Sequence, residues 1–209
     1  VDVRMPGSIQ KLTVPEPTQD PKVLREAWLQ GTESLREKLP ARVIAPLLGP
    51  VWEAPFAPVP LITYLEVAPG SGKSSCGRQA MHYFAPDLND RVGASKTILS
   101  ATQAGGSFIG MIRLLAQHVS HMPVLADDFV DASDARKAEA KIDNFARAIF
   151  DRAPRVIGKA RGGTTESKPI DASVIATGQV GLHGSGLQRV FTIGISPGDT
   201  LQYSLNVAI

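Results

Sequence analysis

The sequence predicts an α/β fold, a three-layer sandwich around a mostly parallel central sheet. Three observations carry this. Leu61–Val67 is an apolar run of strand length that feeds a Gly-rich turn, Ala68–Ser75, and then a helical stretch. A second apolar run, His121–Ala126, ends in Asp127 and Asp128. A third, Ala172–Thr177, ends in Thr177-Gly178-Gln179, and segments of helical periodicity separate the three.

Composition sets the frame. A chain of 209 residues is long enough for one domain with a sizeable core. Hydrophobic content of 43% with 20% charged residues describes a soluble globular protein, and a cytoplasmic one is expected. The single Cys76 excludes an intramolecular disulfide framework and suits a reducing compartment. Its position early in a helix points to a small packing residue rather than a reactive thiol. Net charge is only +2, so any attraction to nucleic acid must come from local clustering. No run of eighteen apolar residues and no signal peptide is visible, so no membrane partner is expected. The chain opens at Val1 rather than Met, which carries the expectation of a fragment of a longer protein.

Three parts follow in order. Residues 1–21, with Pro6, Pro15, Pro17 and Pro21, suit a linker or extended strap. Residues 22–58 form a leading helical block. Val23, Leu24, Trp28, Leu35 and Leu39 predict a helix or a pair of helices, with Gly31 as a weak point and Pro40 as the stop. Ala41–Leu48 is a short apolar segment that Gly49-Pro50 should end. Residues 59–209 are the core. There, Lys73–Phe84 is read as helix, Lys96–Ala101 as a strand, and Ser107 as the N-cap of a helix facing inward with Phe108, Leu115 and Val119. Asp134–Phe150 is a helix lined by Ile142, Phe145, Ala146 and Ile149. Gly181–Gly186 is read as a flexible loop, and Gln188–Ile195 as the last strand, opened by Arg189. No internal repeat or low-complexity tract is present.

The Gly-rich turn carries chemistry. Pro69-Gly70-Ser71-Gly72-Lys73-Ser74-Ser75 contains the back half of a phosphate-binding P-loop, with Val67 standing where the first Gly of that pattern falls. Backbone N–H groups in such a loop close around a phosphate, and the helix N-terminus adds partial positive charge. Lys73 would reach the β and γ phosphates and Ser74 would bind Mg²⁺. The alternative is a Gly-rich strand-to-helix turn with no ligand. Asp127 and Asp128 decide between them, because an apolar strand ending in two acids 53 residues after Ser74 is the Walker B arrangement. Asp127 is assigned to the metal and Asp128 to the attacking water. Taken singly, an acidic strand end is commonplace.

Further along, Arg155–Arg161 and the segment up to Ile170 read as a hairpin turned by Gly162-Gly163. Arg152, Arg155, Lys159, Arg161 and Lys168 face only Asp151 and Glu166 in sequence, which suits a tracker of a nucleic-acid backbone. The plain alternative is a hairpin kept soluble by its charges. No aromatic is interleaved, so base stacking is not expected. Thr177 or Gln179 would orient the attacking water, or else merely cap a strand. Arg189 is read as an arginine finger reaching a neighbouring subunit's γ-phosphate, or as a surface Arg. His82, His118, His121 and His183 have no metal-like spacing, and no Ser-His-Asp grouping is inferred.

The order of these features resembles the ATPase modules of phages, plasmids and integrated elements. Those are similar in layout to superfamily 3 replicative helicases of the wider AAA+-like group. The residues that carry the resemblance are Pro69–Ser74, Ser100-Ala101-Thr102, Asp127-Asp128-Phe129, the basic hairpin, Ala176–Gln179 and Arg189. It covers about residues 34 to 198, with only the two Walker stretches specific. It implies the additional-strand P-loop sheet order, a ring-forming homo-oligomer expected to be a hexamer, and DNA gripped by Lys159 and Arg161 in a central pore. Val67, and Gln179 where relatives often carry an acid, depart from the pattern. Two functions are therefore carried: an ATP- and Mg²⁺-dependent DNA helicase or translocase, and a nucleotide-gated assembly module. A small-molecule kinase is disfavoured because no Arg-rich lid is evident.

Overall fold

The structure is a computed structural model that describes residues 19–37, 39–58, 60–67, 72–81, 83, 98–100, 120–127, 135–152, 156–158, 164–166, 169–178 and 184–196. Its helices are α1 (Pro21–Arg36), α2 (Ala41–Glu53), α3 (Lys73–Met81) and α4 (Ala135–Phe150). The strands are β1 (Ile62–Val67), β2 (Ile98–Ser100), β3 (Ser120–Asp127), β4 (Val156–Gly158), β5 (Thr164–Glu166), β6 (Asp171–Gly178) and β7 (Val190–Ile195). The expected helix at Ser107 and the N-cap at Asp134 lie outside the described residues.

Five strands form the central sheet in the order β2-β3-β6-β1-β7, and every neighbouring pair is parallel. β6 is inserted between β1 and β3, which is the additional-strand order of P-loop folds. Its Ala172–Gly178 stretch is buried throughout, so successive side chains on both faces of the sheet are covered. That requires helices on both sides, the α/β P-loop sandwich. β4 and β5 form the expected hairpin, with Gly158 opposite Thr164. The connection is therefore 159–163, which contains Gly162 and Gly163.

One apolar cluster runs from Leu35 through α2 and the sheet to Ile195. α2 supplies Val43, Ile44, Leu47, Leu48 and Val51 to it, and packs on α3 and β7. This helix corrects the expected stop at Gly49-Pro50, since it continues through Pro46 and Pro50 to Glu53. Each internal proline costs about 3 kcal/mol. Burying five large aliphatic side chains returns roughly 7–15 kcal/mol, and the burial wins.

α1 starts where Asp20 caps it, accepting from the Lys22 N–H at 2.9 Å, with Pro21 in the first turn. It runs unbroken through Gly31, the predicted weak point. The expected apolar face is buried only at its C-terminal end. Leu35 is fully buried, whereas Val23, Leu24 and Trp28 are about half exposed. Gly31 persists because Tyr83 lies on it: a Cβ there would meet the Tyr83 hydroxyl at 2.6 Å. The ring of Tyr83 meets Trp52 edge-on at 5.8 Å, and Trp52 meets Trp28 at 6.0 Å. Tyr83 follows the end of α3, so this aromatic chain ties α1 and α2 to the helix that begins at Lys73.

Burial raises the Tyr83 phenol above its ordinary pKa, against a smaller opposing effect of the Thr32 hydroxyl. The folded state therefore favours the neutral phenol. Its contribution to stability is complete below pH 10.0 and is lost as pH rises from there through the raised folded value. Fluorescence of Trp28 and Trp52 should report α1 loosening in alkali, and Tyr83→Phe should flatten that dependence. An unchanged alkaline profile in Tyr83→Phe would remove Tyr83 as its source.

Candidate functional site

The site is assembled at the C-terminal ends of the parallel strands, where β1 gives way to α3. Gly72 has φ 76°, in the left-handed region that Gly enters without a Cβ penalty. Its carbonyl accepts the Cys76 N–H at 2.9 Å, which starts the helix. Lys73 is thus the first helical residue, and it is 7% exposed. A lysine so buried needs an anionic or polar destination. Ser74 is half-buried and Ser75 exposed, beside N–H groups that have no partner within the helix. Pro69, Gly70 and Ser71 lie outside the described residues. Cys76 is fully buried, as a packing residue should be.

β3 delivers Asp127 to the same end of the sheet. Ala126 pairs with Ala176, so the next register brings Asp127 beside Thr177. The Thr177 hydroxyl donates to Asp127 Oδ1 at 2.7 Å, in a site where both side chains are buried. Of the two residues expected to orient water, Thr177 therefore touches the acid directly. Gln179, and Asp128 itself, lie outside the described residues.

The backbone of α3 sits close on β3. A Cβ at Gly77 would fall 2.6 Å from Leu125 Cδ1, so only Gly allows this approach without displacing Leu125. The next residue, Arg78, consequently reaches Asp127 Oδ2 at 3.4 Å. The sequence reading missed Arg78. Its signal was weak: a basic residue five positions after Lys73, whose partner stands 49 residues away. Directly after Thr177, Gly178 leaves room for the Tyr64 hydroxyl, which a Cβ there would overlap.

Oxygen donors of this kind suit a hard cation. Asp127 has one carboxylate oxygen committed to Thr177 and the other in only a long contact to Arg78. Ser74 supplies a hydroxyl. Among the described residues no group of three His, Cys, Asp or Glu could hold a metal. Mg²⁺ keeps several waters and takes one or two protein oxygens plus substrate phosphates, so Asp127 and Ser74 are the residues that would hold it.

Arg189 stands elsewhere and in a different element from the one expected. It closes a 3₁₀ helix, Gly184–Arg189, that replaces much of the predicted flexible loop, and β7 begins only at Val190. Val190 pairs with Ile62, whereas the P-loop follows Val67 at the other end of β1. Six residues of strand separate those ends by roughly 17–20 Å. Arg189 cannot serve the site of its own chain. It pairs with Asp151 at 3.4 Å and lies over the Phe150 ring, 5.6 Å from its centroid. At this same edge Ser120, His121 and Asp171 do come together. Ser120 Oγ lies 2.8 Å and Asp171 Oδ2 3.3 Å from His121, both at Nδ1. A relay needs the acid and the nucleophile on opposite ring nitrogens, so this is no catalytic triad. Lys159, Arg161 and Lys168 lie outside the described residues; the first two fall in the connection between β4 and β5. No helix among the described residues is long and apolar enough to cross a membrane.

No family model matches the chain, and no curated protein matches it. Among solved structures it is similar to NtrX from Brucella abortus in complex with ATP, at 14% identity and a TM-score of 0.41 over 87% of this chain and 43% of that one. The ADP complex of NtrX gives 14% identity and 0.39, over 86% and 43%. A further NtrX structure gives 13% and 0.40, over 87% and 45%. The chain spans less than half the length of the NtrX chains it matches.

Proposed function

We propose that this chain binds ATP with Mg²⁺ and hydrolyses it, as the motor of a ring-forming DNA helicase or translocase from a mobile genetic element, similar to superfamily 3 helicases. One observation carries the nucleotide reading: the Thr177–Asp127 hydrogen bond at the strand ends, beside a helix that opens with buried Lys73. In this reading Lys73 and the N–H groups of Gly72 to Ser75 hold the β and γ phosphates. Ser74 and Asp127 would hold Mg²⁺, which when bound neutralises charge developing on the phosphates. Thr177 fixes the Asp127 carboxylate, and Asp128 accepts a proton from the attacking water. Arg189 completes the site of a neighbouring subunit.

A second reading is a nucleotide-gated assembly module without processive motion. It is favoured by the Arg189 contacts to Asp151 and Phe150, which an assembly step must break before Arg189 can act in trans. Steady-state ATP hydrolysis with Mg²⁺, with and without single-stranded DNA, separates the two. The motor reading expects stimulation by DNA. It also expects the double variant Lys159→Ala, Arg161→Ala to lose that stimulation while keeping basal hydrolysis. A DNA response left intact by the double variant would sink the motor reading.

A further inference from the structure

We propose that Arg78 is a positioning residue that stands in for the metal ion: its guanidinium holds Asp127 Oδ2 before Mg²⁺·nucleotide arrives and must release it afterwards. This inference rests on the nucleotide reading above. Asp127 is 6% exposed, and a buried carboxylate left without a cation is costly. Thr177 supplies a hydrogen bond to Oδ1 but no charge. Among the described residues, Arg78 is the cation recorded on the other oxygen.

The contact is built to be left. At 3.4 Å it is longer than a well-formed charge-assisted bond, and it is made by one terminal nitrogen rather than by a bidentate fork. Arg78 Nε is buried and has no partner among the described residues. Arg78 is thus poorly satisfied where it stands, while its side chain is 41% exposed and has solvent to move into. Asp127, 8% exposed at the side chain, has no such freedom. Of the two partners, the arginine is the one able to leave. Thr177 meanwhile keeps Oδ1, so the carboxylate stays oriented as its second oxygen changes cation.

Competition is the measurable consequence, because Mg²⁺ must displace Arg78 from the oxygen it takes. The test is equilibrium binding of a fluorescent ATP analogue to the whole chain at graded Mg²⁺ concentration. Thermal unfolding without nucleotide or divalent ions is measured in parallel. R78Q removes the charge and keeps most of the volume. Its Mg²⁺ half-saturation should fall about two- to fivefold, the scale of one partly exposed ion pair. Its nucleotide-free, metal-free unfolding midpoint should fall, and Mg²⁺ with nucleotide should recover more of it than in the wild type. R78K keeps a point charge and should shift half-saturation by less than R78Q. R78M, uncharged and of similar length, carries the test should R78Q not fold, since an unchanged value there would overturn the inference. Half-saturation in R78Q equal to or above the wild type overturns it directly, because Arg78 would then not compete with the metal. If the wild type binds no nucleotide at any Mg²⁺ concentration, the reading of the site itself fails instead.

Discussion

Lys73→Ala should abolish nucleotide binding at micromolar ATP and lower hydrolysis by at least about 100-fold, the scale of losing one preorganised charge at developing phosphate charge. Lys73 is the only cation that α3 places in its first turn, and it is 7% exposed, so no exposed neighbour can substitute for it. The variant should still fold. Cys76, Ala80 and Met81 hold α3 in the core without it, and a methyl group replaces a side chain that is costly to bury. Circular dichroism and the unfolding midpoint would establish that. A folded Lys73→Ala protein that retained a third of wild-type turnover would place hydrolysis at another site.

The second large effect should come from Gly178→Ala, which adds one methyl group next to Thr177. That methyl would lie 2.0 Å from the Tyr64 hydroxyl and 2.8 Å from Tyr64 Cζ. Tyr64 is fully buried in the middle of the sheet and cannot swing into solvent. Overpacking of this kind costs about 1–3 kcal/mol and sometimes more. For a chain of this size that lowers Tm by roughly 3–10 °C. Hydrolysis should fall too, since Thr177 shares the displaced backbone and its bond to Asp127 is only 2.7 Å long. Tyr64→Phe removes the nearest atom, so the double variant should recover part of the lost stability. Strictly additive losses in Gly178→Ala with Tyr64→Phe would show that the hydroxyl is not what the methyl meets.

Much of the architecture was legible because it depends on local pattern. The strands at 62–67, 120–127 and 171–178 fall on apolar runs of strand length, within a residue of the expected bounds. The α3 start at Lys73 follows from Gly72, whose positive φ only a residue without Cβ enters freely. The β4–β5 hairpin follows from the Gly162-Gly163 pair. Where reading failed, local rules pointed the wrong way. Gly49-Pro50 predicts an end, yet α2 continues through it to Glu53 because its buried face outweighs the prolines. Arg189 reads as the opening of a strand, yet it ends a 3₁₀ helix held by Asp151 and Phe150. The apolar spacing in α1 predicts a buried stripe, yet only its end lies on the core.

The sequence by itself determined that strands alternate with helices, that Lys73 begins a helix after a Gly-rich turn, and that Asp127 ends a strand. Each of these is set within a few residues by backbone sterics and hydrophobic period. Tertiary structure alone decided what Asp127 touches. Inserting β6 between β1 and β3 sets Thr177 against one carboxylate oxygen, and the close seat of Gly77 on Leu125 brings Arg78 to the other. Partners separated by 49 and 50 residues meet only once the sheet order is chosen, and no local pattern encodes that choice.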